Sequence, residues 1–390
     1  MILKADRIVV GDGKTVLEGA AVCVRDGRIA AVGAPEELQA RFPDQQVREY
    51  PGATLLPGLI DMHVHIGYYY EKADAAAYDE NPMLMALFAA DKMKKTLEAG
   101  VTTVRDVSSP LNIARTLKLA EEKGYVTLPR IVTSGQGICM TGGHGWTLRN
   151  GVCECDGEWE IRKAIRRQFR EGADWIKVLT SEGYRGQELT QAELDAAVDE
   201  CHRMGRKTAV HAGYVPSVEM AIRAGFDTIE HGTYLTVEQA REMKEKGIAW
   251  TPTIVAFSYI RDKMAAEAAE SGLELDFGYI AKAADVYERN FKALYDTGVT
   301  VITGTDQVMD DAPTSPVARE CQYMVDFGIT PLEAIACATK NCAEVLEMGH
   351  ELGQVKENYL ADLIVVDGDA SQDILALRSI RAVVARGELL

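Results

Sequence analysis

Leu55-Leu56-Pro57-Gly58-Leu59-Ile60-Asp61-Met62-His63-Val64-His65 is the stretch on which the fold of this chain turns. Its apolar run reads as a buried strand, and its end carries two histidines one residue apart. Side chains alternate along a strand, so the two imidazoles share one face, with Cα atoms about 6.6 Å apart. That spacing suits two ligands on one metal ion. Taken alone, the pair equally describes a structural histidine with a chance neighbour, so its meaning depends on the rest of the chain.

Outward from this stretch the texture changes twice. Residues 1–57 hold short strand-like runs at 7–10, 20–24 and 28–32, separated by Asp12-Gly13 and Asp26-Gly27 turns, which is antiparallel β material. From 58 to 350, apolar strands alternate with amphipathic helical segments. Strand candidates cover 58–66, 101–106, 130–135, 174–180, 207–212, 227–231, 249–254 and 300–305, and helical segments include 82–99, 158–171, 191–204 and 236–246. Eight such units predict an α/β fold, a (β/α)8 TIM barrel, with an open doubly wound sheet as the structural rival. After a last helix near 331–347, residues 361–367 and 380–385 return to short strands. The two ends thus predict a small β-sandwich domain built from both chain termini, 1–57 with 353–390, flanking a barrel over 58–352. The Ala/Glu-rich stretch 261–276 reads as an extra, solvated helix.

The 390 residues are 47% hydrophobic and 26% charged, ample for a large core. A net charge of −17 repels nucleic acid and anionic lipid, so neither is an expected partner. No stretch reaches the ~18 uninterrupted apolar residues of a membrane helix, and Met1-Ile2-Leu3-Lys4-Ala5-Asp6 lacks the layout of a signal peptide. The expectation is a soluble, cytoplasmic protein. Eight scattered cysteines suit reduced thiols better than a disulfide framework. Cys153-Glu154-Cys155 is a candidate metal pair, but no second Cys or His pair stands beside it at zinc-site spacing.

A barrel carries its chemistry at the C-terminal ends of its strands. His63, His65, Lys177, His211, His231 and Asp306 occupy such positions on five predicted strands. Each has a plain reading by itself: a satisfied strand-end histidine, a helix-capping aspartate, a lysine paired with a carboxylate. Jointly, they converge on one mouth.

These residues also carry a family resemblance. The set Pro57 to His65, Lys177, His211-Ala212, Ile229-Glu230-His231-Gly232-Thr233 and Thr303-Gly304-Thr305-Asp306 resembles the amidohydrolase superfamily of metal-dependent hydrolases, over essentially the whole chain. Thr141-Gly142-Gly143-His144-Gly145 and Asp174-Trp175-Ile176-Lys177 are similar to its branch of Xaa-Pro dipeptidases and related amide hydrolases, akin to imidazolonepropionase. The resemblance implies two divalent metal ions, Zn²⁺ as first choice. It places His63 and His65 on the more buried ion and His211 and His231 on the second. It makes Lys177 a CO₂-derived carbamate bridging both, Asp306 a ligand and proton shuttle, and His144 a donor to the scissile carbonyl.

The chemistry of these groups agrees. Neutral imidazole and carboxylate suit Zn²⁺, and two ions about 3.5–4 Å apart can bridge one hydroxide. Burial among cations lowers a lysine pKa and frees the amine for CO₂.

Candidate substrate contacts lie on loops. In 180–187, Tyr184 is one, and Arg185 either clamps a substrate α-carboxylate bidentately or is simply solvated. Tyr214 follows His211 in His-Ala-Gly-Tyr, where Gly213 departs from the His-Ala-His form of relatives. Glu182 and Gln307 stand where relatives carry small residues. Tyr68-Tyr69-Tyr70 forms either a pocket wall or a packed aromatic cluster. His202 and His350 read as surface and structural residues.

The expected function is a metal-dependent hydrolase that cleaves an amide bond of a small molecule, a dipeptide such as Xaa-Pro or an N-acyl amino acid, by metal-bridged hydroxide. The partners expected are that small-molecule amide and further copies of the chain in a homo-oligomer. One rival is a cyclic-amide hydrolase or deaminase on the same scaffold; Lys177 argues against a mononuclear deaminase. A rival from another class is a catalytically silent binding homologue.

Overall fold

The structure, a computed structural model, describes residues 1–68, 81–181, 186–271, 278–306 and 316–390. Its strands are β1 (Ile2–Val9), β2 (Val16–Glu18), β3 (Ala21–Arg25), β4 (Arg28–Gly33), β5 (Val47–Pro57), β6 (Leu59–Val64), β7 (Val101–Asp106), β8 (Arg130–Thr133) and β9 (Gly137–Cys139). They continue with β10 (Val152–Glu154), β11 (Trp175–Leu179), β12 (Lys207–Ala212), β13 (Thr228–His231), β14 (Ala249–Thr251), β15 (Leu363–Asp367), β16 (Ile380–Ala385) and β17 (Glu388–Leu389). The chain divides into two compact units, one of Met1–Asp61, Met93–Thr103 and Ala312–Leu390, the other of Met62–Lys92 and Val104–Asp311.

The first unit contains an eight-stranded sheet in the order β17-β16-β15-β5-β1-β3-β4, with β2 paired to β1. Asp26 and Gly27, both at positive φ, turn β3 into β4, as a primed hairpin turn requires. β5 joins the two chain ends, pairing parallel with β1 and antiparallel with β15, with Leu55 opposite Val365. The period of two then sorts the side chains. Leu3, Val22, Ile29 and Leu55 pack with Leu363, Val365 and Val384 in one cluster, while Ile2, Ala21, Cys23 and Ala31 pack with Leu38 in another. Each fully buried aliphatic side chain contributes about 1.5–3 kcal/mol.

The second unit holds a parallel sheet, β10-β9-β11-β12-β13-β14; a further three-stranded set runs in the order β6-β7-β8. Helices Gln191–Arg203, Val215–Ala224 and Val237–Lys246 link successive strands from β11 to β14, so the expected strand-helix alternation is present there. Capping boxes at Thr190 with Glu193 and at Thr236 with Gln239 start two of them by satisfying the free backbone donors of the first turn. The helix predicted at 261–276 is found as Ile260–Ser271; its remainder lies outside the described residues.

The predicted eighth strand, 300–305, is corrected. It contributes an isolated parallel bridge between Trp250 and Val301 rather than a ladder, because on that side its backbone bonds run to the single residue Trp250. Trp250 N–H donates to Thr300 O (2.8 Å) and Ile302 N–H to Trp250 O (3.0 Å), whereas Met62 N–H donates to Thr303 O (2.9 Å) and Asp306 N–H to His63 O (2.8 Å). β9 and β10 are additional short strands, and the loop between them carries His144.

Gly304 makes this segment's close approach possible. A Cβ there would lie 2.4 Å from Thr251 Cγ2 and 2.7 Å from His63 Cβ. Gly304→Ala is therefore expected to cost about 1–3 kcal/mol through overpacking. Urea unfolding measures it, and wild-type stability would show that the contact relaxes freely. Among the described residues, no helix is long and apolar enough to cross a membrane.

Candidate functional site

Parallel strands align their C-terminal ends, and register sets how the polar side chains meet there. Leu179 of β11 stands opposite His211 of β12, and Ala212 opposite His231 of β13. A cavity of about 190 Å³ is lined by His63, His65, Lys177, His211, His231 and Asp306, with His144 at its wall. Val152, Leu179, Phe257 and Tyr279 supply its less polar lining. His231 (φ 67°) and Asp306 (φ 60°) both hold left-handed backbone, strain that surrounding structure must sustain.

The hydrogen bonds aim the ring nitrogens. His63 Nδ1 lies 2.7 Å from Glu230 Oε2, both buried, which turns its Nε2 toward Asp306 Oδ1 at 3.6 Å. His65 Nδ1 faces the Ser108 carbonyl at 3.2 Å and its Nε2 lies 3.1 Å from Asp306 Oδ1. Ligand atoms of His63, His65 and Asp306 all fall within 4.8 Å of one another, so this group can hold a metal ion. His231 Nδ1 bonds Thr253 Oγ1 at 2.7 Å. His211 Nε2 is buried without a hydrogen-bond partner among the described residues, a donor geometry that a metal ion would satisfy. Its ring packs against His231 (centroids 4.6 Å apart) and stacks on His144 at 4.1 Å and 21°.

Protonation follows burial. His63 is pushed down to about 4 by burial and by nearby Lys177, and His211 and His231 are held well below the ordinary imidazole range by burial and neighbouring positive charge. These imidazoles are neutral at pH 7, as ligation requires. Burial alone would raise Asp306, but the imidazoles of His63, His65 and His231 hold it well below the carboxylate range, so it is ionised.

Burial depresses Lys177 to about 8, with Glu230 and Asp306 opposing the shift. Between about 8 and the ordinary 10.5 the unfolded chain holds the proton that the folded chain has released. Stability of protein free of metal and bicarbonate should therefore rise with pH across that window, by about 3 kcal/mol from this group. Urea titrations across the window test this; a slope that persists in Lys177→Met would assign it to another group.

Two residues to which sequence reasoning gave no role support the site. Arg105 and Glu230 are both fully buried, with Arg105 Nη2 2.7 Å from Glu230 Oε1. Arg105 also donates to Met62 O (2.7 Å) and Thr228 Oγ1 (3.0 Å) and lies 4.8 Å over the Trp175 ring. Burial would raise Glu230, yet Arg105 and His63 hold it well below its ordinary range. Charged residues inside apolar parallel strands were the available signal, since such charges are buried only when paired.

Other predicted residues are placed differently. Tyr214 is half-buried at the start of helix Val215–Ala224 and is not among the cavity-lining residues. Tyr68 packs edge-on against His65 at 5.5 Å. Tyr69, Tyr70, Glu182, Tyr184, Arg185 and Gln307 lie outside the described residues. His202 is exposed and bonds Asp227 Oδ2 at 2.9 Å; His350 is exposed. Cys153 and Cys155 are free thiols.

Fold and site together define a hydrolase of mixed α/β architecture. The chain belongs to the amidohydrolase family, whose model matches residues 54–390, and residues 20–44 match the imidazolonepropionase-like composite domain of bacteria. Proteins of this family generally bind divalent metal ions. The chain is 29% identical to ochratoxinase of Aspergillus niger over 98% of its own length and 84% of that protein's. The crystal structure of a Xaa-Pro dipeptidase with bound methionine superposes with a TM-score of 0.86 at 28% identity, covering 100% of this chain and 99% of the other. A prolidase complexed with N-methylphosphonate-L-proline gives 0.84 at 27% identity, covering 100% and 98%.

Proposed function

We propose that this amidohydrolase cleaves the amide bond of a small molecule, a dipeptide such as Xaa-Pro or an N-acyl amino acid. The observation that carries the reading is the convergence of His63, His65 and Asp306, within 4.8 Å of one another, on a cavity of about 190 Å³ suited to a small ligand. Likeness to a Xaa-Pro dipeptidase and to a prolidase bound to a proline phosphonate supports the substrate class.

His63, His65 and Asp306 would hold one divalent ion and His211 and His231 a second, zinc being the metal their donor set suits. Lys177, as the carbamate formed when its neutral amine adds to CO₂ and loses a proton, would supply a further anionic oxygen donor. When bound, the metal would activate water as a nucleophile near neutral pH and would polarise the carbonyl. Asp306 accepts the proton that water gives up and delivers it to the departing nitrogen. His144 donates to the carbonyl oxygen as charge develops on it. Phe257, Tyr279, Leu179 and Val152 limit water and receive an apolar substrate group.

The scaffold belongs to the same proposal. Residues 300–306 bond both Trp250 and β6, which supports closure into a (β/α)8 barrel over 58–352. The cluster joining β1, β3 and β5 to β15 and β16 supports a terminal β-sandwich of 1–57 with 353–390.

Metal analysis of protein purified without chelator, paired with a hydrolysis screen of dipeptides, N-acyl amino acids and lactams with and without bicarbonate, tests the reading. Divalent metal with amide cleavage strengthened by bicarbonate is expected. Near-zero metal, or ammonia release from aminopurines or aminopyrimidines with no amide cleavage, overturns it.

A further inference from the structure

Directly after the loop that carries His144 stands a pair of thiols, Cys153 and Cys155, that the hydrolytic reading leaves unused. β10 runs parallel to β9, with Cys153 opposite Ile138, and Cys155 N–H donates to Cys139 O at 2.8 Å. Cys153 and Cys155 therefore lie just past the end of the loop, on the chain that continues from cavity-lining Val152. Their Sγ atoms are 3.6 Å apart. Cys153 is half-buried, while Cys155 is 4% exposed.

The residues beside these thiols tie down the loop. Gly142 N–H donates to Glu154 Oε1 at 2.6 Å, between the two cysteines. Thr141 donates its N–H to Asp156 Oδ1 (3.0 Å) and its hydroxyl to Asp156 Oδ2 (2.6 Å), directly after Cys155. Two carboxylates flanking one cysteine thus hold the segment immediately preceding His144. Whatever moves the backbone from Cys153 to Asp156 moves that anchorage.

We infer that Cys153 and Cys155 form a redox-active dithiol that closes to an intrachain disulfide with low-molecular-weight disulfides, and that closure resets the loop carrying His144. The Cys153 thiolate attacks one sulfur of the reagent disulfide, forming a mixed disulfide and expelling one thiolate. Cys155 then gives up its proton and attacks Cys153 Sγ, expelling the second. The two protein thiols lose two electrons and two protons, and the reagent leaves as two thiols. The hydrogen bond from Cys155 and the charge of Arg167 favour the Cys153 thiolate, lowering it to about 6, and identify Cys153 as the attacking sulfur. A disulfide requires sulfurs ~2.05 Å apart, so closure draws the chain together across Glu154. The chemistry is independent of the hydrolytic reading; only its bearing on turnover rests on it.

The test uses the full chain incubated with glutathione disulfide, followed by alkylation of remaining thiols and peptide mapping. Alkylation at both Cys153 and Cys155 should be lost, their peptide carrying two hydrogens fewer, and dithiothreitol should restore both. Cys155→Ser should stop at a glutathione adduct on Cys153, and Cys153→Ser should leave Cys155 unmodified. Trp146, exposed two residues beyond His144, reports on the loop. Oxidation should shift tryptophan emission in the wild type and not in Trp146→Phe. A stable glutathione adduct or unmodified thiols in the wild type would overturn the dithiol, and a disulfide formed without a Trp146-dependent shift would overturn its coupling to the loop. A protein lacking metal or turnover leaves both readouts intact, so failure of the hydrolytic reading is seen separately.

Discussion

Asp306→Asn is expected to lower kcat/KM for the amide substrate by about 10²–10⁴-fold while the protein still takes up divalent metal. The substitution keeps the size and one oxygen of the side chain but removes the carboxylate that can take a proton. Asp306 lies 3.1 Å from His65 and 3.6 Å from His63, and those imidazoles keep it ionised. Loss concentrated in kcat, with metal content near the wild-type value, fits a proton shuttle. Wild-type turnover in the variant would remove Asp306 from the mechanism, and loss of all metal would reduce its role to ligation.

Arg105→Met is expected to destabilise the protein by about 3–5 kcal/mol, because it strands the buried Glu230 carboxylate without its strongest partner. Arg105 makes three hydrogen bonds, to Met62 O, Thr228 Oγ1 and Glu230 Oε1, and none of its surface reaches water. Adding Glu230→Gln removes the stranded charge and should recover part of the loss in urea unfolding. The double variant is also expected to lose metal affinity about 10–100-fold, because His63 Nδ1 then lacks the carboxylate that orients it. Isothermal titration with Zn²⁺ into metal-free protein measures that arm. If Arg105→Met stays within about 0.5 kcal/mol of wild type, the buried pair is not a support of the site.

Much of the site was legible before any coordinates. The alternation of apolar strands with amphipathic helices placed β6, β11, β12 and β13 within a few residues, because a parallel sheet buried on both faces writes itself as continuous apolar runs. His63, Lys177, His211 and His231 stood out because polar groups at the ends of such runs are costly unless used. The segment 300–305 was less legible: its sequence looks like any other strand, but its pairing with the neighbouring chain is a single bridge at Trp250. Glu230 was visible within Ile229-Glu230-His231, yet its partners lie 125 residues away at Arg105 and 167 away at His63, and only register brings them together.

The sequence by itself offered the candidate donors, and the motifs around them carried the resemblance to the family to which the chain belongs. The tertiary structure decided what those donors can do. Glu230 and the Ser108 carbonyl occupy the Nδ1 atoms of His63 and His65 and so direct both Nε2 atoms toward Asp306. Burial then settles protonation, leaving the His63, His211 and His231 imidazoles neutral and depressing the Lys177 amine. Which nitrogen faces the cavity and which group is charged there depend on desolvation and on contacts between residues far apart in sequence, and these exist only once the strands are in register.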